Sequence, residues 1–218
     1  MRRNFEEQLE SLNNSLTEMG KLVESRIEKA NKALIDQDVA LAESVIAADD
    51  DIDNLEKEIE SQCLRIIMQQ QPVARDLRNV SSILRITTDL ERIGDHATDI
   101  SELVLLLADK TYIKKLEHIP RMAAETANML SESIEAFVKK DIEQAKEIIA
   151  RDDLIDNLFD TVKKELIGLI KTNADNGDQA VDLIMIAKYF ERIGDHATNI
   201  AEWVIFSISG WHKNVKVM

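Results

Sequence analysis

The chain has 218 residues and a net charge of −14, from 27 Lys plus Arg against 41 Asp plus Glu. Nucleic acid needs a basic face, so this balance argues against it as a partner and favours attraction of cations. Cys63 is the only cysteine and rules out an intrachain disulfide, while the longest purely apolar run, 103–108, is far shorter than the roughly 20 residues that span a bilayer.

The N-terminus, MRRNFEEQLESL, has no apolar stretch of the kind a signal peptide carries. Together these features predict a cytoplasmic protein without membrane insertion. Two prolines and six glycines are few for this length. Apolar residues recur at three- and four-residue spacing almost throughout, and strand-like alternation is absent, which predicts long helices and few breaks.

A first helix is predicted over about 4–35, with Leu9, Leu12, Leu16, Met19, Val23, Ile27 and Leu34 as its stripe. Asp36-Gln37-Asp38 reads as a turn with a possible N-cap. A second helix is predicted from there to about residue 71, turning Leu41, Val45, Ile52, Leu55, Ile59 and Ile66 inward, with Cys63 as a small core residue. Pro72 ends it, since proline cannot continue a helix interior. A third helix follows to about residue 109, and 110–119 is irregular.

Pro120 then suits the start of a helix that ends near residue 140. Asp141 opens the next helix, with Gln144 three residues on as a partial capping box. The segment TNADNG at 172–177 is the clearest turn, and a last helix ends near 209–210. Trp203, Phe206 and Trp211 read as core and end-packing residues.

The chain is internally duplicated. ERIGDHAT occurs at 91–98 and again, unchanged, at 191–198. Shifting the first half by 103 lays Asp49-Asp50 on Asp152-Asp153 and Ile52-Asp53-Asn54-Leu55 on Ile155-Asp156-Asn157-Leu158. The shift falls from 103 to 100 between these blocks, and such a loss belongs in a turn. The expected fold class is all-α: two tandem, internally duplicated three-helix bundles with six long antiparallel helices. The expected domains are 1–110 and 111–218.

Four acids stand out in each half: Asp49, Asp53, Glu91 and Asp95, then Asp152, Asp156, Glu191 and Asp195. Each pair is spaced i, i+4, so both carboxylates share one helix face, where like charges destabilise a bare helix. The midpoint of Asp53 and Glu91, and that of Asp49 and Asp95, is residue 72. The second half gives 173.5 for both pairs. Residues equidistant from a helical turn are level, so the spacing predicts four carboxylates gathered at one height, twice. On a helical wheel, Glu91, Asp95, Thr98 and Glu102 lie within about 60° of one another, away from Leu90, Ile93, Ala97, Ile100 and Val104. A shallow outer site follows.

Carboxylate-rich sites suit hard or borderline cations such as Mg²⁺, Mn²⁺, Ca²⁺ or iron. His96 and His196 project about 100° away from the adjacent acid, which makes them packing residues or supports for the site. The Glu-x-x-His signature of buried di-iron bundles is absent. Isolated Asp-xxx-Asp pairs are common on solvated helices; two level pairs, repeated, point to metal. Gly94 and Gly194 fit close helix packing, and Arg92 and Arg192 fit ion pairs on the helix surface.

DLERIGDHATDI at 89–100, FERIGDHATNIAEWVI at 190–205, ARDDLIDNL at 150–158 and the duplication together resemble the PhoU family of phosphate-specific transport accessory proteins. The resemblance covers nearly the whole chain. It implies tandem three-helix bundles whose (E/D)xxxD motifs bind divalent or trivalent metal ions (iron, Mn, Mg, Zn or Ca). These motifs fall on the same eight acids. It also implies a cytoplasmic, often dimeric regulator without catalytic residues. Such proteins repress the phosphate-starvation response between the ATPase subunit of a phosphate ABC transporter and a membrane sensor histidine kinase. Asp99 becomes Asn199, Glu56 aligns with Phe159 and Ser82 with Asp182, so the two sites are expected to differ. The competing expectations are a metal-dependent phosphohydrolase using metal-activated water and an acidic helical scaffold with no ligand.

Overall fold

The computed structural model describes residues 2–213 and 215–216. The first half contains α1 (Arg2–Asp36), α2 (Val39–Ala47), α3 (Asp49–Gln70) and α4 (Ala74–Leu107). The second contains α5 (His118–Lys139), α6 (Ile142–Ala150), α7 (Asp152–Thr172) and α8 (Gly177–Ser209). The fold is an all-α helical bundle.

The helix expected over about 39–71 is two helices. At Ala48 the backbone leaves the helical region (φ −91°, ψ 10°), and α3 starts afresh at Asp49. The second half also divides, at Arg151, though there the dihedrals (φ −78°, ψ −13°) stay close to helical. Three successive aspartates, Asp49, Asp50 and Asp51, explain the placement. In a helix interior they repel; in a first turn, free N–H groups and the positive end of the helix dipole favour them. Each break therefore sets one site acid, Asp49 or Asp152, at a helix start.

The expected caps form. Asp38 accepts from Leu41 N, and Asp141 from Gln144 N, each at 3.0 Å; such a cap is worth about 1 kcal/mol. Pro120 lies in the first turn of α5. Between α3 and α4, Gln71 takes a left-handed conformation just before Pro72.

Leu12, Leu16, Met19, Val23, Ile27 and Leu34 of α1 are fully buried, as are Leu90, Ile93, Ala97, Ile100 and Val104 of α4. Burying a side chain of this kind contributes about 1.5–3 kcal/mol. Cys63 is fully buried, and that burial pushes its thiol up to about 12. One hydrophobic cluster runs through both halves. Helices α1, α4, α5 and α8 form its centre, with α2–α3 packed on one side and α6–α7 on the other. α4 and α8 lie antiparallel: Asp89 meets His196, and Arg85 lies over the Trp203 ring.

The connection at 108–117 is tied to both halves. Gln37 Nε2 donates to the carbonyls of Leu107 (2.7 Å) and Lys110 (2.8 Å), and Tyr112 donates to Leu34 O at 2.5 Å. Gln179 accepts from Ile113 N at 2.6 Å and donates to Thr111 O at 3.1 Å.

Gly210 (φ 81°) stops α8, and a short antiparallel hairpin of β1 (Trp211–His212) and β2 (Val215–Lys216) follows. Trp211 departs from expectation, being 48% exposed. His212 takes the packing role, stacked on Trp203 at 3.9 Å with Phe206 edge-on.

Candidate metal centres

The eight predicted acids line two grooves, one between α3 and α4 and one between α7 and α8. Asp49 and Asp53 are half-buried on α3, and Glu91 and Asp95 half-buried on α4. Asp152 and Glu191 are half-buried in the second groove, while Asp156 and Asp195 are exposed. The glutamates sit deepest: the side chains of Glu91 and Glu191 retain 17% and 13% exposure, against 44% for Asp49. The wheel placed the acids off the core stripe, which holds, but the glutamates form a floor and not a rim.

Close helix approach makes the grooves. A Cβ on Gly94 would lie 2.8 Å from Ile52 Cδ1, and one on Gly194 3.3 Å from Ile155. Ile52 and Ile155 sit between the two acids of α3 and of α7. Each glycine thus lets the opposite helix seat its isoleucine and draw its aspartates level with the ERIGDHAT acids.

The carboxylates feel one another. Burial raises Glu91, and Asp95, Glu56 and Asp53 raise it further against the opposing Arg92. Burial also raises Asp95, with Arg92 opposing and Asp49 adding. In the second groove burial, then Asp195, Asp156 and Glu191, push Asp152 up to about 6. Burial and Glu191 raise Asp195. Glu91 thus senses Asp53, and Asp95 senses Asp49, in line with the level pairing read from the turns.

Basic side chains engage these acids. Arg26 Nη1 lies 3.1 Å from Asp49 Oδ1, which also accepts from Thr98 at 2.9 Å. Arg92 Nη1 reaches Asp95 at 3.1 Å and its Nε reaches Glu91 at 3.3 Å, while Lys57 stands 3.7 Å from Asp53. In the second groove Lys188 donates to Glu191 at 2.6 Å. Held this way, no three of the described His, Cys, Asp and Glu side chains converge on one point at coordinating distance. The donor set itself is oxygen-only and hard, which fits Mg²⁺, Mn²⁺, Ca²⁺ or iron better than thiophilic metals. Crowded carboxylates whose protons are held more tightly than usual are groups that a cation would relieve.

Arg26 was missed. It is 2% exposed, and its Nε and Nη2 are buried without hydrogen-bond partners among the described residues. A signal was present: Arg26 falls between Val23 and Ala30 on the buried stripe of α1, where a charge needs a partner. Glu56 joins the first groove, raised by burial, Glu60 and Asp53. Its equivalent Phe159 lies instead under Lys163 and Lys188, at 5.1 and 5.3 Å.

The histidines face the joint between the halves. His96 Nδ1 is 3.3 Å from Asp99 on its own helix; His196 Nδ1 is 2.8 Å from Asp89 across the joint. Their rings are 5.7 Å apart, and Tyr189 lies 5.4 Å from His96. Burial lowers the pKa of His96. Each ERIGDHAT thus turns its acids into a groove and its histidine into the centre.

The family model for the PhoU domain matches twice, over residues 16–104 and 119–204. Among curated relatives, the phosphate-specific transport system accessory protein PhoU homolog of Clostridium acetobutylicum is 38% identical over 96% of this chain and 96% of its own. The homolog of Aquifex aeolicus is 38% identical over 85% of this chain and 84% of its own. The crystal structure of PhoU from Pseudomonas aeruginosa superposes with a TM-score of 0.91 at 34% identity, covering 95% of this chain and 100% of that one. The phosphate transport system regulatory protein PhoU from Streptococcus pneumoniae gives 0.88 at 30% identity, covering 97% and 100%.

Proposed function

The chain belongs to the PhoU family of phosphate-transport accessory and regulatory proteins, and from that premise we propose that it is a metal-binding adaptor that restrains the phosphate-starvation response. The observation that carries this reading is the repeated gathering of carboxylates, Asp49, Asp53, Glu91 and Asp95 and then Asp152, Asp156, Glu191 and Asp195, in which burial and neighbouring acids raise Glu91, Asp95, Asp152 and Asp195. A bound cation would take over the role that Arg26, Arg92, Lys57 and Lys188 play now. It would cross-link α3 to α4 and α7 to α8 and fix the outer faces. Iron or Mn²⁺ suits the donors, with Mg²⁺, Zn²⁺ or Ca²⁺ as competitors.

The partners in this reading are the ATPase subunit of a phosphate ABC transporter and a membrane sensor histidine kinase, met in the cytoplasm by a homodimer. No helix among the described residues is long and apolar enough to cross a membrane, so contact with these systems runs through protein surfaces. The adaptor works by binding, without a chemical step of its own.

Elemental analysis of protein purified without chelator tests the metal. The wild type should carry metal, and a variant with Asp49, Asp53, Glu91 and Asp95 changed to Ala should lose the share held by the first groove; equal content in both removes that groove from the reading. A phosphate-responsive reporter in cells lacking their own accessory protein tests the regulation. Expression of this chain should lower the reporter in high phosphate, and an unchanged reporter overturns the repressor role.

A further inference from the structure

The duplication gives the molecule two poles, and they are finished differently. At one pole Gln37, in the turn after α1, donates to Leu107 O and Lys110 O, and Gln179, near the start of α8, bonds Thr111 O and Ile113 N. Two neutral amides there hold the connecting segment.

The equivalents at the other pole are Lys140, 103 residues after Gln37, and Asn79, 100 residues before Gln179. The backbone equivalence is close: Gln37 and Lys140 both have positive φ (52° and 58°), and Asp38 N to Ala33 O recurs as Asp141 N to Ala136 O. Among the described residues no connecting segment enters between Lys140 and Asn79. Lys140 Nζ meets Asn79 Oδ1 directly at 2.5 Å, above the Phe137 ring at 3.7 Å. The chain that leaves α8 turns back instead: His212 stacks on Trp203, and Lys213 reaches Asn199 and Glu202. Among the described residues no backbone carbonyl accepts from Lys140, as those of Leu107 and Lys110 do from Gln37.

Three cationic side chains, Arg75, Arg78 and Lys140, also stand at the second pole, in a chain of net −14. Burial and the neighbouring Arg75 depress Lys140 to about 8. Arg78, one turn from Arg75, has its Nε shielded without a hydrogen-bond partner, and neither arginine forms an ion pair among the described residues. Of the nearby carboxylates, Asp141 caps α6 through Gln144 N, Glu135 pairs with Lys139, and Asp76 is exposed in the first turn of α4.

We propose that Arg75, Arg78, Asn79 and Lys140 form a binding site for a small oxyanion of the phosphate class. Arginine forks match two oxygens of such a group, and a lysine ammonium supplies a point charge. The anion stands beside the direct Lys140–Asn79 contact, at the pole equivalent to the one that the connecting segment occupies. It joins the α5–α6 turn of one half to the start of α4 in the other. The site shares no residue with the acidic grooves, so it stands or falls apart from the metal reading.

Calorimetric titration of EDTA-treated full-length protein tests it, with inorganic phosphate, phenyl phosphate and sulfate as separate probes. Saturable binding of phosphate is expected, weakened at least 10-fold in the double variant Arg75→Ala with Lys140→Gln, which copies the glutamine of the other pole. A Lys110→Gln variant should bind like wild type. Binding of phosphate but not phenyl phosphate assigns a free ion; binding of both assigns a phosphoryl group on a larger molecule. Sulfate bound as tightly as phosphate, no binding of any probe, or equal binding by the double variant overturns the site. Amine labelling gives an independent readout: phosphate should protect Lys140 from modification at pH 8, and unchanged labelling counts against the proposal.

Discussion

The two acidic grooves share eight acids by descent and differ in what neutralises them. Beneath the first lies Arg26, buried and paired with Asp49; the equivalent position beneath the second is Met129, buried and uncharged. Arg92 spans Glu91 and Asp95, whereas Lys188 reaches only Glu191 in the second groove. The electrostatics follow: burial, then Asp195 and Asp156, push Asp152 up to about 6, and no cationic side chain among the described residues pairs with it. Duplication thus kept the acids and let the counter-charge diverge. The first groove carries more of its compensation within the protein than the second does.

The largest expected effect separates the grooves directly. Changing Asp152 and Asp195 to Asn removes two carboxylate charges from the groove with least internal compensation. Mn²⁺ affinity at the tighter class of sites should fall more than about 100-fold, since even outer-shell changes around metals cost 10–100-fold. Asp49→Asn with Asp95→Asn should leave that tighter class intact. If the first-groove variant is the one that loses it, the ranking of the grooves is reversed.

Next comes the counter-charge. Arg26→Met gives the first groove the residue that the second has. Removing a competing cation 3.1 Å from Asp49 should raise Mn²⁺ affinity in that groove roughly 10-fold, equivalent to about 1.4 kcal/mol. Met129→Arg should weaken the second groove in the same sense. Fluorescence-monitored titrations of the two variants check both signs, and a weaker first groove in Arg26→Met would show that Arg26 organises Asp49 for metal.

A smaller effect is set by pH. An acid whose pKa is raised on folding destabilises the folded state above its unfolded value, because the chain must ionise it in a less favourable place. For Asp152 that loss begins near pH 4 and is complete once pH passes about 6. In metal-free protein at pH 7.5, Asp152→Asn should therefore melt higher than wild type. The gap should close as pH falls below 6. A gap that persists at pH 4.5 would trace the gain to something other than ionisation.

Much of this was legible in the sequence. The doubled ERIGDHAT and the turn at Pro72 were enough to place Asp53 opposite Glu91 and Asp49 opposite Asp95, because antiparallel helices joined by a short turn leave little freedom in register. The breaks at Ala48 and Arg151 were not legible, since neither residue is a helix breaker; only the run Asp49–Asp51 hinted that a helix start belonged there. Arg26 was legible as a charge on the buried stripe between Val23 and Ala30, but nothing within its own helix names Asp49 as its partner. The split roles within ERIGDHAT could not be read from one half. His96 and His196 acquire theirs only when α4 and α8 pack, which no periodicity within a single helix reveals.

The joint itself supplies the last and smallest comparison. His96 takes its carboxylate from Asp99 one turn on, while His196 takes Asp89 from the opposite helix because position 199 is Asn. Asn199 Nδ2 lies 3.5 Å from Asp89 Oδ1, and its Oδ1 accepts from Lys213 at 3.3 Å, so the amide bridges two halves of the molecule and the tail. Restoring the repeat with Asn199→Asp would set a second carboxylate against Asp89, whose side chain is only 14% exposed. Like charges there should cost about 0.5–1 kcal/mol, or about 1–4 °C in melting temperature for a chain of this size. Asp99→Asn, which makes the first half resemble the second, removes the intrahelical contact to His96 and sets no like charges together, so it should cost less. If the two substitutions shift melting equally, Asp89 is not the shared partner that locks α4 to α8, and the joint is held by its apolar packing alone.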